Sequence, residues 1–416
     1  MTTLPARNLN IGEEHPSFLV VAGLAVFTFV VVTTRLGIAE AGIVVAMIGL
    51  LLRPAQLRFP APFWWAMAFI GWAFLTSPFA MSPVRALDTS IERLKVFIIF
   101  LVAINTLRTE KYLRLYVLFT IACFMLFPAR GAFVNFATGY TIVGRALWNK
   151  IYSNPNDLAA MALLALGLTL SVCTAGAERR WIRWAAVASS VALVVLILLT
   201  QSRGVFIGLV LGFGPVLLAS ARRRPRVVFL LVIVAAVSST FIPEGVWIRI
   251  GGIGKLTSTA TIAQADPEGS AGQRWEIQKT GFAIFKDHAL TGVGLGCYPL
   301  ANARYAPKLG TRDTHDTYLN IAAELGLPGL LLWLALVVSV FRRWWREPRE
   351  SREAAHVIQA VWVERAIMGF LIAGFFGTYS GITMLYLMLG ILLSASMLSK
   401  QSHETAVPGP IVKRVA

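Results

Sequence analysis

Long apolar runs, repeated from one end of the chain to the other, limit what it can fold into. They lie near 17–34, 36–52, 61–76, 94–107, 112–127, 157–174, 184–200, 204–220, 226–242, 317–341, 358–377 and 380–398. An α-helix rises about 1.5 Å per residue, so roughly 18 apolar residues cross a hydrocarbon core about 30 Å thick. A helix also satisfies its backbone polar groups within the segment, as a lipid environment requires. The runs predict an all-α polytopic membrane protein with about 12 transmembrane helices. Charged residues make up 14% of the chain, against about 25% in soluble proteins. No stretch is polar and long enough for a separate soluble domain, so residues 1–416 are read as a single integral membrane domain. The first 16 residues are polar and lack an h-region with a cleavage site, so no removable signal peptide is expected.

The net charge of +17 would suit a nucleic-acid partner. The basic residues, however, sit in short loops between apolar runs, which is how topology determinants are distributed. If the N-terminus is cytoplasmic, the inner segments carry more than half of the chain's 38 lysines and arginines, including Arg222 to Arg226 and Arg342 to Arg352. The opposite orientation would place both of those clusters outside. Both termini of this inner-membrane protein are therefore expected in the cytoplasm, with membrane lipids as partners and no nucleic acid. Cys123 and Cys173 lie inside apolar runs and Cys297 stands alone, so neither a disulfide framework nor a metal spacing is present.

Two outer segments are long: 128–156, and 243–316 between the ninth and tenth spans. Loops of that length in compact proteins are usually functional. In the second, Trp275, Gln278, Phe282 and Phe285 recur at helical spacing, which predicts a helix lying at the membrane surface.

The outer basic residues are those the positive-inside rule does not explain. Arg203 opens the eighth span behind Ser202, Arg274 opens the surface helix, and His315 precedes the tenth span. All three are predicted at helix N-termini, where the macrodipole disfavours a cation by some tenths of a kcal/mol unless an anion binds there too. Arginine forks onto phosphate oxygens, so the set points to an external phosphate or pyrophosphate. Headgroup contact is the alternative for each single arginine. His315 titrates near neutrality and is the best candidate for proton transfer, with Asp313 and Asp316 beside it as orienting groups or helix caps. Its spacing alone does not distinguish it from a solvated loop histidine, which is how His15 and His288 are read. Asn154 and Asp157 open the sixth span and suit capping. Glu324, about two turns into the tenth span, is an intramembrane carboxylate and hence a functional candidate by default. The alternative is that it faces a wet cavity near the outer surface, with Gly326, Pro328 and Gly329 loosening the helix. The run Gly292, Gly294 and Gly296 imitates a nucleotide loop without the required strand.

The segment "HDTYLNIAAELGLPGLLLW" resembles the signature of the O-antigen ligase and polymerase superfamily, in which a histidine precedes a Tyr-Leu and a Glu-Leu-Gly-hydrophobic-Gly turn. "QSRGVFIGL" is similar to that family's Ser-Arg-Gly segment, and "QRWEIQKTGFAIFKDHALTGVGLGCYP" to its long periplasmic loop. The matched motifs cover roughly residues 200–335. The resemblance implies a C-type glycosyltransferase-like fold with a periplasmic helical loop, 243–316, between helices 9 and 10. It implies an inverting, metal-independent transfer of glycan from an undecaprenyl-pyrophosphate-linked donor to a lipid A–core acceptor, with no cofactor. Carried over, Arg203 and Arg274 would bind the pyrophosphate and His315 would be the base. Lys95, Arg145, Asp157, Asp316 and Tyr318 are the further candidates for substrate contact. An O-antigen polymerase would use the same machinery on carrier-linked glycans. A twelve-helix transporter or flippase is the alternative from another class, although no internal repeat is visible.

Overall fold

The computed structural model describes residues 16–33, 38–52, 54–149, 152–176, 178–223, 270–348 and 358–406. Apart from one isolated bridge between Ile142 and Arg145, the described residues are helical or irregular. In chain order the helices are α1 (Phe18–Thr33), α2 (Ile38–Leu51), α3 (Ala61–Thr76), α4 (Pro83–Thr106) and α5 (Glu110–Phe124). A π-turn over Met125–Ala129, containing Pro128, leads into α6 (Arg130–Ala137). Then follow α7 (Pro155–Cys173), α8 (Arg180–Leu199), α9 (Arg203–Arg223), α10 (Ser270–Asp287), α11 (Tyr298–Tyr305), α12 (Thr317–Arg346), α13 (Ala360–Ala373) and α14 (Thr383–Ala406).

Eleven of the twelve expected spans fall on helices; the one at 226–242 lies outside the described residues. Four segments are long and apolar enough to cross a membrane by length and composition: Glu110–Ala137, Pro155–Cys173, Arg180–Leu199 and Thr317–Arg346. Shorter apolar helices are Phe18–Thr33, Ile38–Leu51, Arg203–Ala219 and Thr383–Ser399.

The bundle closes on small residues, as helix packing does where lipid supplies no hydrophobic drive. A Cβ on Gly208 of α9 would fall 2.3 Å from the Gly369 carbonyl of α13, so these backbones touch. One apolar core runs through most of the helices, including Phe97, Phe100, Trp333, Tyr386 and Leu392. A smaller core joins Ala86 of α4, Ile277 and Ile284 of α10, Tyr298 and Ala301 of α11, and Ala323 of α12.

Polar contacts between segments sort into two ends. At one end Arg114 forks onto Glu178, Arg108 donates to the Gln56 carbonyl, and both indoles of Trp344 and Trp345 donate to Glu364. These segments are the arginine-rich ones assigned to the inner face. At the other end, Lys95 meets Glu40, Arg85 donates to Gly296, and Arg145 donates to Thr200. That second end is where the candidate residues gather.

The surface helix forms as α10, with one correction in register. Its buried face is Ile277, Gly281 and Ile284, while Trp275 and Phe282 point away from the protein. Lys279 and Lys286 lie over those two rings at 6.0 and 4.8 Å. An outward aromatic stripe under lysines is what a helix resting on a membrane surface presents. Arg274 is not the opening residue either, since the helix begins at Ser270.

Glu324 does not face a wet cavity. It is buried, and its carboxylate accepts the backbone N–H of Tyr298 at 3.1 Å and that of Gly296. The helix breaks two residues later at Gly326, with φ 68° and ψ −174°. Groups freed by the break find partners outside the helix: Trp72 donates to the Leu325 carbonyl at 2.8 Å, and the Leu327 N–H donates to Ala289 at 2.7 Å. The glycine run is the strap that packs against this break, with Val293 and Gly294 donating to the carbonyls of Ala323 and Glu324.

Candidate functional site

His315 sits two residues before α12 in a left-handed backbone conformation, φ 52°. Histidine is among the few residues enriched there. What holds the turn is a threonine clamp onto the segment 374–382, which links α13 to α14. The Thr317 N–H donates to Gly374 at 2.7 Å, its hydroxyl donates to Gly377 at 2.7 Å, and the same oxygen accepts the Tyr379 N–H at 2.9 Å. On the other side of the histidine, the Thr314 hydroxyl donates to the Asp316 carbonyl at 2.8 Å and lies 3.1 Å from the Thr378 hydroxyl. Asp316 caps α12, accepting the N–H groups of Tyr318 and Leu319 at 2.8 and 3.0 Å. Burial raises its pKa, and those two N–H donors oppose the rise. Tyr318 spends its hydroxyl on the Leu371 carbonyl at 2.8 Å and packs on Phe375. The structure thus gives Asp316 and Tyr318 architectural work that holds the histidine turn.

Burial lowers the pKa of His315. Arg274 lowers it further, Asp313 pulls it back up, and Arg312 adds a smaller lowering. The imidazole is therefore held neutral at neutral pH, the state in which it accepts a proton. Arg274 also acts electrostatically on the Tyr379 phenol, as do Asp157 and Arg145. One neighbourhood therefore holds His315, Arg274, Tyr379, Asp157 and Arg145. The Tyr379 hydroxyl donates to the Asn156 carbonyl at 3.4 Å, tying the 374–382 segment to the start of α7.

Arg203 is the first residue of α9, as expected, and the Ser202 carbonyl accepts the first helical N–H from Phe206 at 2.9 Å. Gly204 beside it lies against Phe376, where a Cβ would approach to 2.4 Å, so α9 also begins on the 374–382 segment. The residue before this pair, Gln201, is again left-handed at φ 52°. Its amide donates to Gly144 at 3.1 Å, in a tight turn where Val143 and Gly144 both have positive φ. Arg145 leaves that turn to donate to the Thr200 carbonyl at 2.8 Å and to the Asn156 side chain at 2.7 Å. It ties the end of α8 to the start of α7, whose cap is Asn154. The described non-glycine residues with positive φ are Val143, Gln201 and His315. Such conformations cost of order 1–3 kcal/mol each and gather at functional sites.

A cavity of about 600 Å³ opens beside this cluster. Apolar side chains of α1, α2, α4, α7 and α14 line it, among them Phe27, Val31, Ile43, Val96, Met161 and Met384. Its charged lining is Glu40, Glu92, Lys95 and Asp157, with Thr378 among the hydroxyl groups beside them. Thr378 thus borders the cavity while touching Thr314, the neighbour of His315. Lys95 is not a lone cation, because it donates to Glu40 at 2.5 Å and to Glu92 at 2.7 Å.

Sequence reasoning did not single out Thr314, Thr317, Thr378, Tyr379 or Arg93, whose guanidinium donates to the Ser380 carbonyl. The visible signals were the paired threonines around His315 and the glycines at 374, 377 and 381 in an otherwise apolar stretch.

No curated protein matches the chain. Residues 188–334 match the family model described as O-antigen ligase. The match runs from within α8 past the break in α12, so Arg203, Arg274 and His315 all fall inside it. That match, on a chain built of apolar helices, supports assigning it to the O-antigen ligase family.

Proposed function

We propose that the chain transfers a glycan from undecaprenyl pyrophosphate to lipid A–core at the outer face of the inner membrane. His315 takes the proton from the acceptor hydroxyl as that oxygen attacks the anomeric carbon. The bond from that carbon to the pyrophosphate oxygen breaks, and its electron pair leaves with the pyrophosphate. Arg203 and Arg274 carry the charge that grows there, a role preorganised cations perform well where water is excluded. Attack opposite the leaving group inverts the anomeric centre, and the imidazolium then releases its proton to bulk water.

The observation that carries this reading is a half-buried His315, its pKa lowered by burial and by Arg274, joined through Thr314 and Thr378 to a cavity with apolar walls and a polar mouth. A transferase with two lipid-linked substrates needs that combination: apolar wall for lipid, and polar groups for the heads that react. The arginine-rich end would then be cytoplasmic, and the 243–316 segment periplasmic.

The test is reconstitution of the purified chain with undecaprenyl-pyrophosphate glycan and lipid A–core. Wild type is expected to give a gel ladder of glycan-modified lipid, and His315→Ala to lose it while staying folded. A ladder from His315→Ala as strong as wild type removes the histidine from the chemistry. Longer carrier-linked glycans in place of the ladder would make the chain a polymerase, and neither product would return it to the transporter class.

A further inference from the structure

The cavity and the arginines differ in charge, and that difference assigns them different substrates. Arg274, Arg145 and Arg203 all adjoin the 374–382 segment, by electrostatic reach to Tyr379 or by the Gly204–Phe376 contact. The ionisable side chains lining the cavity are instead three carboxylates, Glu40, Glu92 and Asp157, and one amine, Lys95. Lys95 is already engaged by Glu40 and Glu92, so no free cation faces the cavity from α4. A pyrophosphate moved into this space would meet carboxylates on α2, α4 and α7 at once. Like charges in one small cavity repel even at the dielectric constant of water, and more strongly where water is scarce.

A sugar ring meets the same lining favourably. Its hydroxyls donate to carboxylates, and a Lys–Glu pair offers both donors and acceptors to an uncharged polar group. The apolar walls cover the ring faces and any adjoining lipid. Thr378 stands where the two compartments meet, lining the cavity on one side and touching Thr314 beside His315 on the other. A hydroxyl delivered through the cavity therefore reaches the histidine turn by way of Thr378 and Thr314.

We propose that this cavity is the acceptor compartment, recognising an uncharged hydroxylated ring through Glu40 and Glu92 and excluding the donor's pyrophosphate by charge. Glu40 and Glu92 become specificity-determining residues, and Lys95 holds their carboxylates in place. This rests on the transferase reading above.

The experiment measures KM separately for the carrier-linked glycan and for lipid A–core, in wild type, Glu40→Gln and Glu92→Gln. Both carboxylates are largely exposed, so the variants are expected to fold. The expected result is a fivefold or greater rise in acceptor KM with donor KM unchanged. If the pyrophosphate instead occupies the cavity, removing a negative charge lowers donor KM, and that result overturns the assignment. Unchanged values for both substrates overturn it too. Absence of transfer from folded wild type defeats the transferase reading itself, and this inference with it, which keeps the two failures distinct.

Discussion

Two polar stations lie along the start of α12, His315 just before the helix and Glu324–Gly326 within it, and they behave oppositely. At Glu324–Gly326 each group that the break exposes is taken up: the carboxylate by two backbone N–H groups, the Leu325 carbonyl by Trp72, the Leu327 N–H by Ala289. At His315 the surrounding backbone is equally well bonded, through Thr314, Asp316 and Thr317, but the imidazole stands outside that network and beside an arginine. Both stations lie in one motif-like stretch of sequence, yet one is architecture and the other is available for chemistry. A buried polar group that is fully satisfied fixes a fold, whereas one held in place with its reactive atom unspent is poised to act.

Substitutions at the two stations should therefore fail in different currencies. His315→Ala is expected to cut transfer by about 10²–10⁴-fold, the usual worth of a general base, with little change in thermal stability. Gly326→Ala should do the reverse. The added Cβ would lie 2.3 Å from the Leu290 carbonyl, in a left-handed conformation. That conformation alone costs a non-glycine residue about 1–2 kcal/mol, and the clash with backbone adds to it. Loss of folded protein in detergent, read by a melting curve, is the expected outcome. A well-folded but inactive Gly326→Ala would break the division between the stations.

At the histidine station the candidate residues are visible in the sequence and their support is not. Charges at helix starts drew attention to Arg203 and His315, because the macrodipole makes such placements need a reason. The threonine clamp escaped notice since it works through hydroxyls and the carbonyls of Gly374 and Gly377, groups nearly every sequence contains. At the second station the opposite happened. Gly326 and Pro328 announce a broken helix, but the partners of Glu324 are not visible, because they are amides of a strap some 26 residues away in sequence. Lys95 shows the same limit: its ion pair with Glu40, 55 residues distant, is not visible in the sequence. The aromatic stripe of α10 marked a helix correctly, but whether Trp275 and Phe282 face protein or lipid is decided by neighbours, not by period. The helices themselves were readable because a lipid solvent leaves a chain few other ways to satisfy its backbone.

A smaller effect tests the turn between the stations. Asp316→Ala removes the cap of α12 and is expected to cost about 1 kcal/mol of stability. If the cap also fixes the His315 turn, transfer falls with it, and Asp316→Asn, which keeps an accepting oxygen, restores both. Recovery of stability without recovery of transfer would give the carboxylate a role at the substrate.

The finest comparison is within the histidine's own field, where three neighbours act with known signs. Arg274 and Arg312 lower the His315 pKa and Asp313 raises it. Transfer needs the neutral imidazole, so the acid limb of the pH–rate profile should follow the protonated fraction and lie below the ordinary value of 6.5. Replacing a cation with a neutral group lets the pKa climb back, so Arg274→Gln moves that limb to higher pH. Arg312→Gln moves it the same way by less, and Asp313→Asn moves it to lower pH. Arg274→Gln also weakens donor binding on the proposed mechanism, so its shift must be read at saturating donor. Arg312 is exposed and carries no such role, which makes it the cleaner probe although its effect is the smallest. An acid limb that stays put in all three variants means that the group titrating in the profile is not His315. A limb that moves with Arg274→Gln and Arg312→Gln but against the sign expected for Asp313→Asn would mean that Asp313 acts through its bonds to the Thr314 N–H and Asn320 rather than through its charge.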